Sequence, residues 1–281
     1  MELVQHNKSF DGEQRIYKIH STSLNSETKF GVFLPKQALS GQECPALFFL
    51  AGLTCNEETF AIKAHAQKIA AQLGIILITP DTSPKGEQVA QGDHWDIGQG
   101  AGFYINAIQQ PWASHYQMET FIIDELYSLV CEQFLVQNDR IGIFGHSMGG
   151  HGALILAFKY PDQFKSVSAF APICAPSQCP WGEKAFSHYL GDDQQVWLTH
   201  DATALIRKKG KLFTDILIDQ GLNDQFYAQL HPNAFEEACL AVDQKITLRE
   251  HEGYDHGYYF IQTFIEDHLH FHNQQLNAII A

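Results

Sequence analysis

Positive charge is scarce in this chain: 18 Lys and Arg stand against 32 Asp and Glu, a formal net charge of −14 over 281 residues. Such a surface repels phosphate backbones and anionic lipid, which argues against nucleic-acid binding and leaves a small molecule as the expected partner. Long apolar runs are missing too. The longest, near Ala46–Leu50 and Gly152–Phe158, fall far short of the roughly 18 residues needed to span a bilayer, and the opening MELVQHNKSF has no apolar signal core. No membrane association is expected. The six cysteines (Cys44, Cys55, Cys131, Cys174, Cys179 and Cys239) are sparse and irregularly spaced, and no CxxC occurs. This excludes a small disulfide scaffold, a zinc ribbon and a thioredoxin-type centre, and points to a reducing, cytoplasmic setting. There is also no Ser/Gly linker, charge block or internal repeat, so residues 1–281 are read as a single domain.

What is present is enough apolar material for a core: 45% of residues are apolar and only 18% charged, the reverse of a disordered chain. Short β-rich runs at Ala46–Leu50, Ile75–Thr79, Arg140–Phe144, Ser166–Phe170, Asp215–Asp219 and Lys245–Glu250 predict strands. Between them, Thr59–Leu73, Glu119–Phe134, His151–Tyr160, Pro232–Val242 and Tyr258–His272 carry apolar residues at helical intervals. Strands alternating with helices predict an α/β fold with crossover connections. Arg15–Ser21 and Thr28–Leu34 alternate like an antiparallel hairpin, so the expected sheet is mixed but mostly parallel, with helices on both faces. The irregular stretch from Ile173 to Leu212 is either a partial lid or a plain surface excursion with short helices.

Gly145-His146-Ser147-Met148-Gly149 is a G-x-S-x-G placed directly after one predicted strand and directly before a helical run. A nucleophile on so tight a turn sits at a strained backbone angle, and glycines must flank it where strand and helix approach closely. The new helix aims its unpaired N–H groups at the spot where an oxyanion would form, which makes the Met148 amide one donor. A serine hydroxyl also needs a base and a carboxylate to orient that base, here expected in the order Ser, acid, His. Asp224 follows the strand at Asp215–Asp219, and His256, between Gly253 and Gly257, follows the strand at Lys245–Glu250. Asp219 and His251 compete for the two roles from positions nearer their strands. The Leu53 amide, just after Ala46–Leu50, is the expected second oxyanion donor. Cys55 beside it is either a core filler or a thiol lining the pocket. Gly98–Gly102 has the wrong spacing for a dinucleotide loop, and His251-Glu252-Gly253-Tyr254-Asp255-His256 is one residue too long for a zinc-protease helix. His268, His270 and His272 are read as favourably placed at the negative end of the last helix, with no metal required.

Together these segments resemble the S-formylglutathione hydrolase, or esterase D, family of α/β-hydrolases that act in formaldehyde detoxification. The resemblance spans nearly the whole chain and rests on Leu50–Cys55, Thr79–Pro84, Gly100–Tyr104, Phe144–Gly152, Pro180–Gly182, Asp219–Gly221 with Asp224, and Gly253–His256. It implies Ser147 as nucleophile, His256 as base, Asp224 as acid, Leu53 and Met148 amides as the oxyanion hole, and a small acyl pocket at Gly52, Cys55, Phe103 and Trp181. It further implies a thioester substrate, a formyl-serine intermediate, a homodimer, little or no cap, and neither cofactor nor metal. Gly257 stands where the family pattern leads one to expect serine, and Thr59 where it leads one to expect asparagine. Rival readings are a broad short-chain carboxylesterase, an acyltransferase on the same fold, and a non-catalytic binding module. Because glutathione is anionic, a local positive rim is needed, for which Lys63 and Lys184 are candidates.

Overall fold

The strands are β1 (Glu2–Ser9), β2 (Gly12–Ser21), β3 (Ser26–Leu34), β4 (Cys44–Leu50), β5 (Ile76–Pro80), β6 (Val136–His146), β7 (Ser166–Phe170), β8 (Leu217–Gly221) and β9 (Thr247–His251), the central ones rich in β-branched and aromatic residues. The computed structural model describes residues 1–278. Its strands form one nine-stranded sheet in the order β1-β2-β3-β5-β4-β6-β7-β8-β9. Strands β1, β2, β3 and β5 pair antiparallel in turn, and every pairing from β5 through β4 to β9 is parallel. All seven residues of β4 are buried, as a strand covered on both faces requires.

Helices do cover both faces, and the period of two along a strand shows it. On β7, Ser166, Ser168 and Phe170 touch the C-terminal helix Tyr258–Asn277 through His272 and His268. The intervening Ala169 faces Gly150 on the helix Met148–Lys159. That second helix is buried along almost its whole length, from Met148 to Phe158. This is the mixed, mostly parallel α/β sheet expected from the sequence.

Several details differ. β1 was not anticipated: seven of its eight residues are exposed, so it has no apolar face to betray it. The expected helix Thr59–Leu73 is two helices, Thr59–Lys63 and Gln67–Leu73, broken at His65, whose φ is 59°. The expected helix Glu119–Phe134 contains a π-helical stretch at Phe121–Leu126. His268 and His272 are not helix-end cations but fully buried imidazoles. Ser166 Oγ shares a hydrogen bond with His272 Nδ1 at 2.6 Å, His272 Nε2 bonds Ser168 at 2.8 Å, and Ser168 bonds His268 Nδ1 at 2.8 Å. Burial lowers the pKa of both rings, so both stay neutral. The stretch from Ile173 to Leu212 holds the helices Pro180–Leu190 and Ala202–Lys209, whose inner faces are buried. Its short helices fit the surface-excursion reading, their inner faces pack on the core, and Trp181 is its contribution to the site.

Candidate active site

Strand β6 ends at His146, and the helix Met148–Lys159 begins one residue after Ser147. Ser147 takes up the whole turn at φ 57° and ψ −119°, a backbone conformation that a side chain rarely adopts. The strain persists because the surroundings over-determine it. Ser147 N–H donates to Phe170 O at 3.0 Å, and Ser147 O accepts from His151 N–H at 2.9 Å. Neither flanking glycine has room for a side chain: a Cβ on Gly145 would overlap the Gly149 carbonyl, and one on Gly149 would overlap the carbonyl of Leu50.

Asp224 and His256 come together from the loops after β8 and β9. His256 Nδ1–H donates to Asp224 Oδ2 at 2.6 Å, which leaves Nε2 as the nitrogen able to accept a proton. The carboxylate is itself held: Gln220 Nε2 donates to Oδ2 at 3.2 Å and Phe226 N–H to Oδ1 at 2.7 Å. The competing pair lies elsewhere. Asp219 is bound by Arg249 at 2.6 Å through both oxygens and faces His268, while His251 stacks on Phe264 with ring centroids 3.8 Å apart. Burial alone would raise the pKa of Asp219, but hydrogen bonds from His268 and Arg249 outweigh it and hold the carboxyl well below the usual range.

Ser147 and His256 line one cavity of about 190 Å³, together with Gly52, Leu53, Thr54, Cys55, Trp95, His146, Trp181 and Phe226. Among the described residues no hydrogen bond joins Ser147 Oγ to the imidazole; in unliganded sites such contacts often tighten only with substrate. Nor do the backbone N–H groups of Leu53 and Met148 donate to another protein group among the described residues. Phe103 is not part of the wall. Its amide donates to Met148 Sδ at 3.4 Å and its carbonyl bonds His151 Nε2 at 3.1 Å, so it lies behind the nucleophile helix as a brace. The aromatic wall comes instead from Trp181 with two residues not anticipated, Trp95 and Phe226. The Phe226 ring stands 4.5 Å from Trp181 and 5.0 Å from His256, centroid to centroid. Phe226 was within reach of sequence reasoning, two residues past Asp224; Trp95 carried no signal beyond being a tryptophan in a loop. His146 was overlooked inside the motif. Its ring lies 4.5 Å from that of His256, and burial, then the neighbouring imidazole, push its pKa well down, so it is neutral.

The Esterase family model matches residues 21–271. S-formylglutathione hydrolase of Rattus norvegicus is 49% identical over 283 residues, covering 99% of this chain and 100% of its own. The chain belongs to the S-formylglutathione hydrolase family of esterases. An S-formylglutathione hydrolase structure from Agrobacterium tumefaciens superposes on this esterase with a TM-score of 0.96 at 43% identity, covering 98% of this chain and 100% of the other. A fluorophosphonate-binding serine hydrolase of Staphylococcus aureus, 19% identical, shares the fold at a TM-score of 0.74, covering 93% of this chain and 98% of its own.

The points where this esterase departs from the expected pattern are accommodated locally. Thr59 Oγ1 donates to Asn56 Oδ1 at 2.8 Å and accepts from the Asn56 amide at 3.0 Å, closing the turn that carries Cys55 toward the cavity. Gly257 is the N-cap of the C-terminal helix at φ −88°, an ordinary angle. Burial pushes the Cys55 thiol up, so Cys55 is a neutral wall residue.

Proposed function

We propose that Ser147, His256 and Asp224 form a catalytic triad that hydrolyses the thioester S-formylglutathione to glutathione and formate. The observation that carries this is the serine at positive φ sharing one small cavity with an imidazole already oriented by a buried carboxylate. His256 Nε2 takes the Ser147 proton as Oγ bonds to the formyl carbon, and the carbonyl oxygen becomes an anion. The Leu53 and Met148 amides receive that anion, the second at the positive end of a helix. Collapse breaks the carbon–sulfur bond, and His256 returns the proton to the leaving sulfur. Water, deprotonated by His256, then attacks formyl-Ser147 and frees formate and the serine. Asp224 holds the ring in the tautomer this cycle needs.

Acyl selectivity follows from the walls. A cavity of about 190 Å³ ringed by Trp95, Trp181 and Phe226 suits a formyl group and crowds longer chains. Each misfit methylene is worth about 1–3 kcal/mol, so acetyl esters are expected to leak through. The reading treats residues 1–281 as one domain acting in the cytoplasm as a homodimer: the sheet runs unbroken from β1 to β9 and six cysteines are free, while the dimer rests on the family resemblance. The test is kcat/KM for S-formylglutathione against p-nitrophenyl acetate. A strong preference for the thioester is expected; a preference for the aryl ester would remove the proposed substrate.

A further inference from the structure

The reaction cavity, at about 190 Å³, is smaller than the roughly 300–1,000 Å³ of sites that hold a drug-sized ligand, so it takes the formyl thioester but not the tripeptide behind it. The peptide must lie outside, and it carries carboxylates into the field of a protein of net charge −14. Two other lysines are already committed. Lys184 pairs with Asp96 at 2.6 Å and Lys85 with Asp81 at 2.7 Å. The recess beside Lys85 is also lined by Glu27, Glu57 and Asp81, which would repel an anion.

One groove differs. It measures about 490 Å³ and is lined by Ile62, Lys63, His65, Tyr258, Tyr259 and Gln262, with no carboxylate among the described residues. Lys63 makes no ion pair among the described residues; its ammonium sits 5.7 Å from the centre of the Tyr258 ring. Tyr258 joins groove to cavity, since its ring lies 6.0 Å from that of His146, which lines the cavity. Ile62 and Tyr259, 68% and 80% exposed, supply apolar surface for the peptide's methylenes.

We propose that this groove binds the peptide portion of the glutathione thioester, with the Lys63 ammonium pairing a peptide carboxylate. The assignment rests on the substrate reading above. It makes Lys63 a specificity residue for the leaving group, remote from the reacting atoms.

The experiment measures KM and kcat for S-formylglutathione and for p-nitrophenyl acetate, which has no peptide, in wild type, Lys63→Ala, Lys63→Glu and Lys63→Arg at low ionic strength. An exposed charge pair predicts a KM for the thioester raised roughly threefold in K63A and about tenfold in K63E, restored in K63R, with a far smaller change for the aryl ester. Equal effects on both substrates, or an unchanged thioester KM in K63E, would overturn the groove assignment while leaving the triad intact. A wild-type enzyme inert toward S-formylglutathione but active on the aryl ester would instead remove the substrate reading, and the groove assignment with it.

Discussion

Replacing Gly149 with alanine puts one methyl group where the nucleophile helix crosses β4. The added Cβ would overlap the Leu50 carbonyl and sit 2.6 Å from the Ala51 carbonyl oxygen, against the roughly 3.2 Å that carbon and oxygen need. Both obstacles are backbone, so no rotamer change relieves them. Either the helix retreats by something near 1 Å or the loop carrying Leu53 does, and in both cases Ser147 and the oxyanion donors move apart. Overpacking of this kind costs about 3 kcal/mol, and a displacement near 1 Å costs about 100-fold in rate. Thermal unfolding would show the first. The second is read as kcat on p-nitrophenyl acetate at a temperature where both proteins remain folded. A variant with unchanged Tm and kcat within twofold of wild type would refute the claim that glycine is required there by close approach.

Asp224→Asn is expected to lower kcat about 10⁴-fold with little loss of stability, because the amide favours the wrong imidazole tautomer. Asp219→Asn should do the opposite, costing about 1–2 kcal/mol in denaturant titration by taking the buried carboxylate from Arg249, which keeps Asp267, and from His268, while leaving kcat within a few-fold. Trp181→Ala opens the aromatic wall and should raise butyryl relative to acetyl ester turnover about tenfold, measured as the ratio of kcat/KM. Stability should fall as pH drops below about 6.5. Burial first, then nearby charge, lowers the pKa of His151 and His200 to about 3, so they bind protons in the unfolded chain before they do in the folded one. Their stabilisation is complete above the unfolded value and is lost between about 6.5 and 3, roughly 2 kcal/mol for each ring by pH 5. Urea midpoints at pH 7 and 5 check it, and equal midpoints would contradict it.

The nucleophile turn was legible because its chemistry constrains the backbone, and backbone constraint is written in glycine. Asp224 and His256 could be placed because parallel strands deliver their following loops to one edge of the sheet, and each residue follows a strand. They were preferred to Asp219 and His251 because those two lie nearer their strands and glycines stand on either side of His256; Asp219 is indeed a structural residue, held by Arg249 and His268, partners distant in sequence. The cavity wall was less legible. Phe103 sits in a matching segment but faces His151, whereas Trp95 reaches the cavity from a long irregular loop with no periodicity to place it. The burial of His268 and His272 was equally hidden, since their partners Ser166 and Ser168 are about a hundred residues away in sequence.

The central claim, that Ser147 is the nucleophile, is tested most directly by labelling the native enzyme with a fluorophosphonate and mapping the adduct by peptide mass spectrometry. A single adduct on Ser147, absent from Ser147→Ala and from enzyme denatured before labelling, is the predicted result. An adduct on another residue, or undiminished labelling and turnover in Ser147→Ala, would contradict the account.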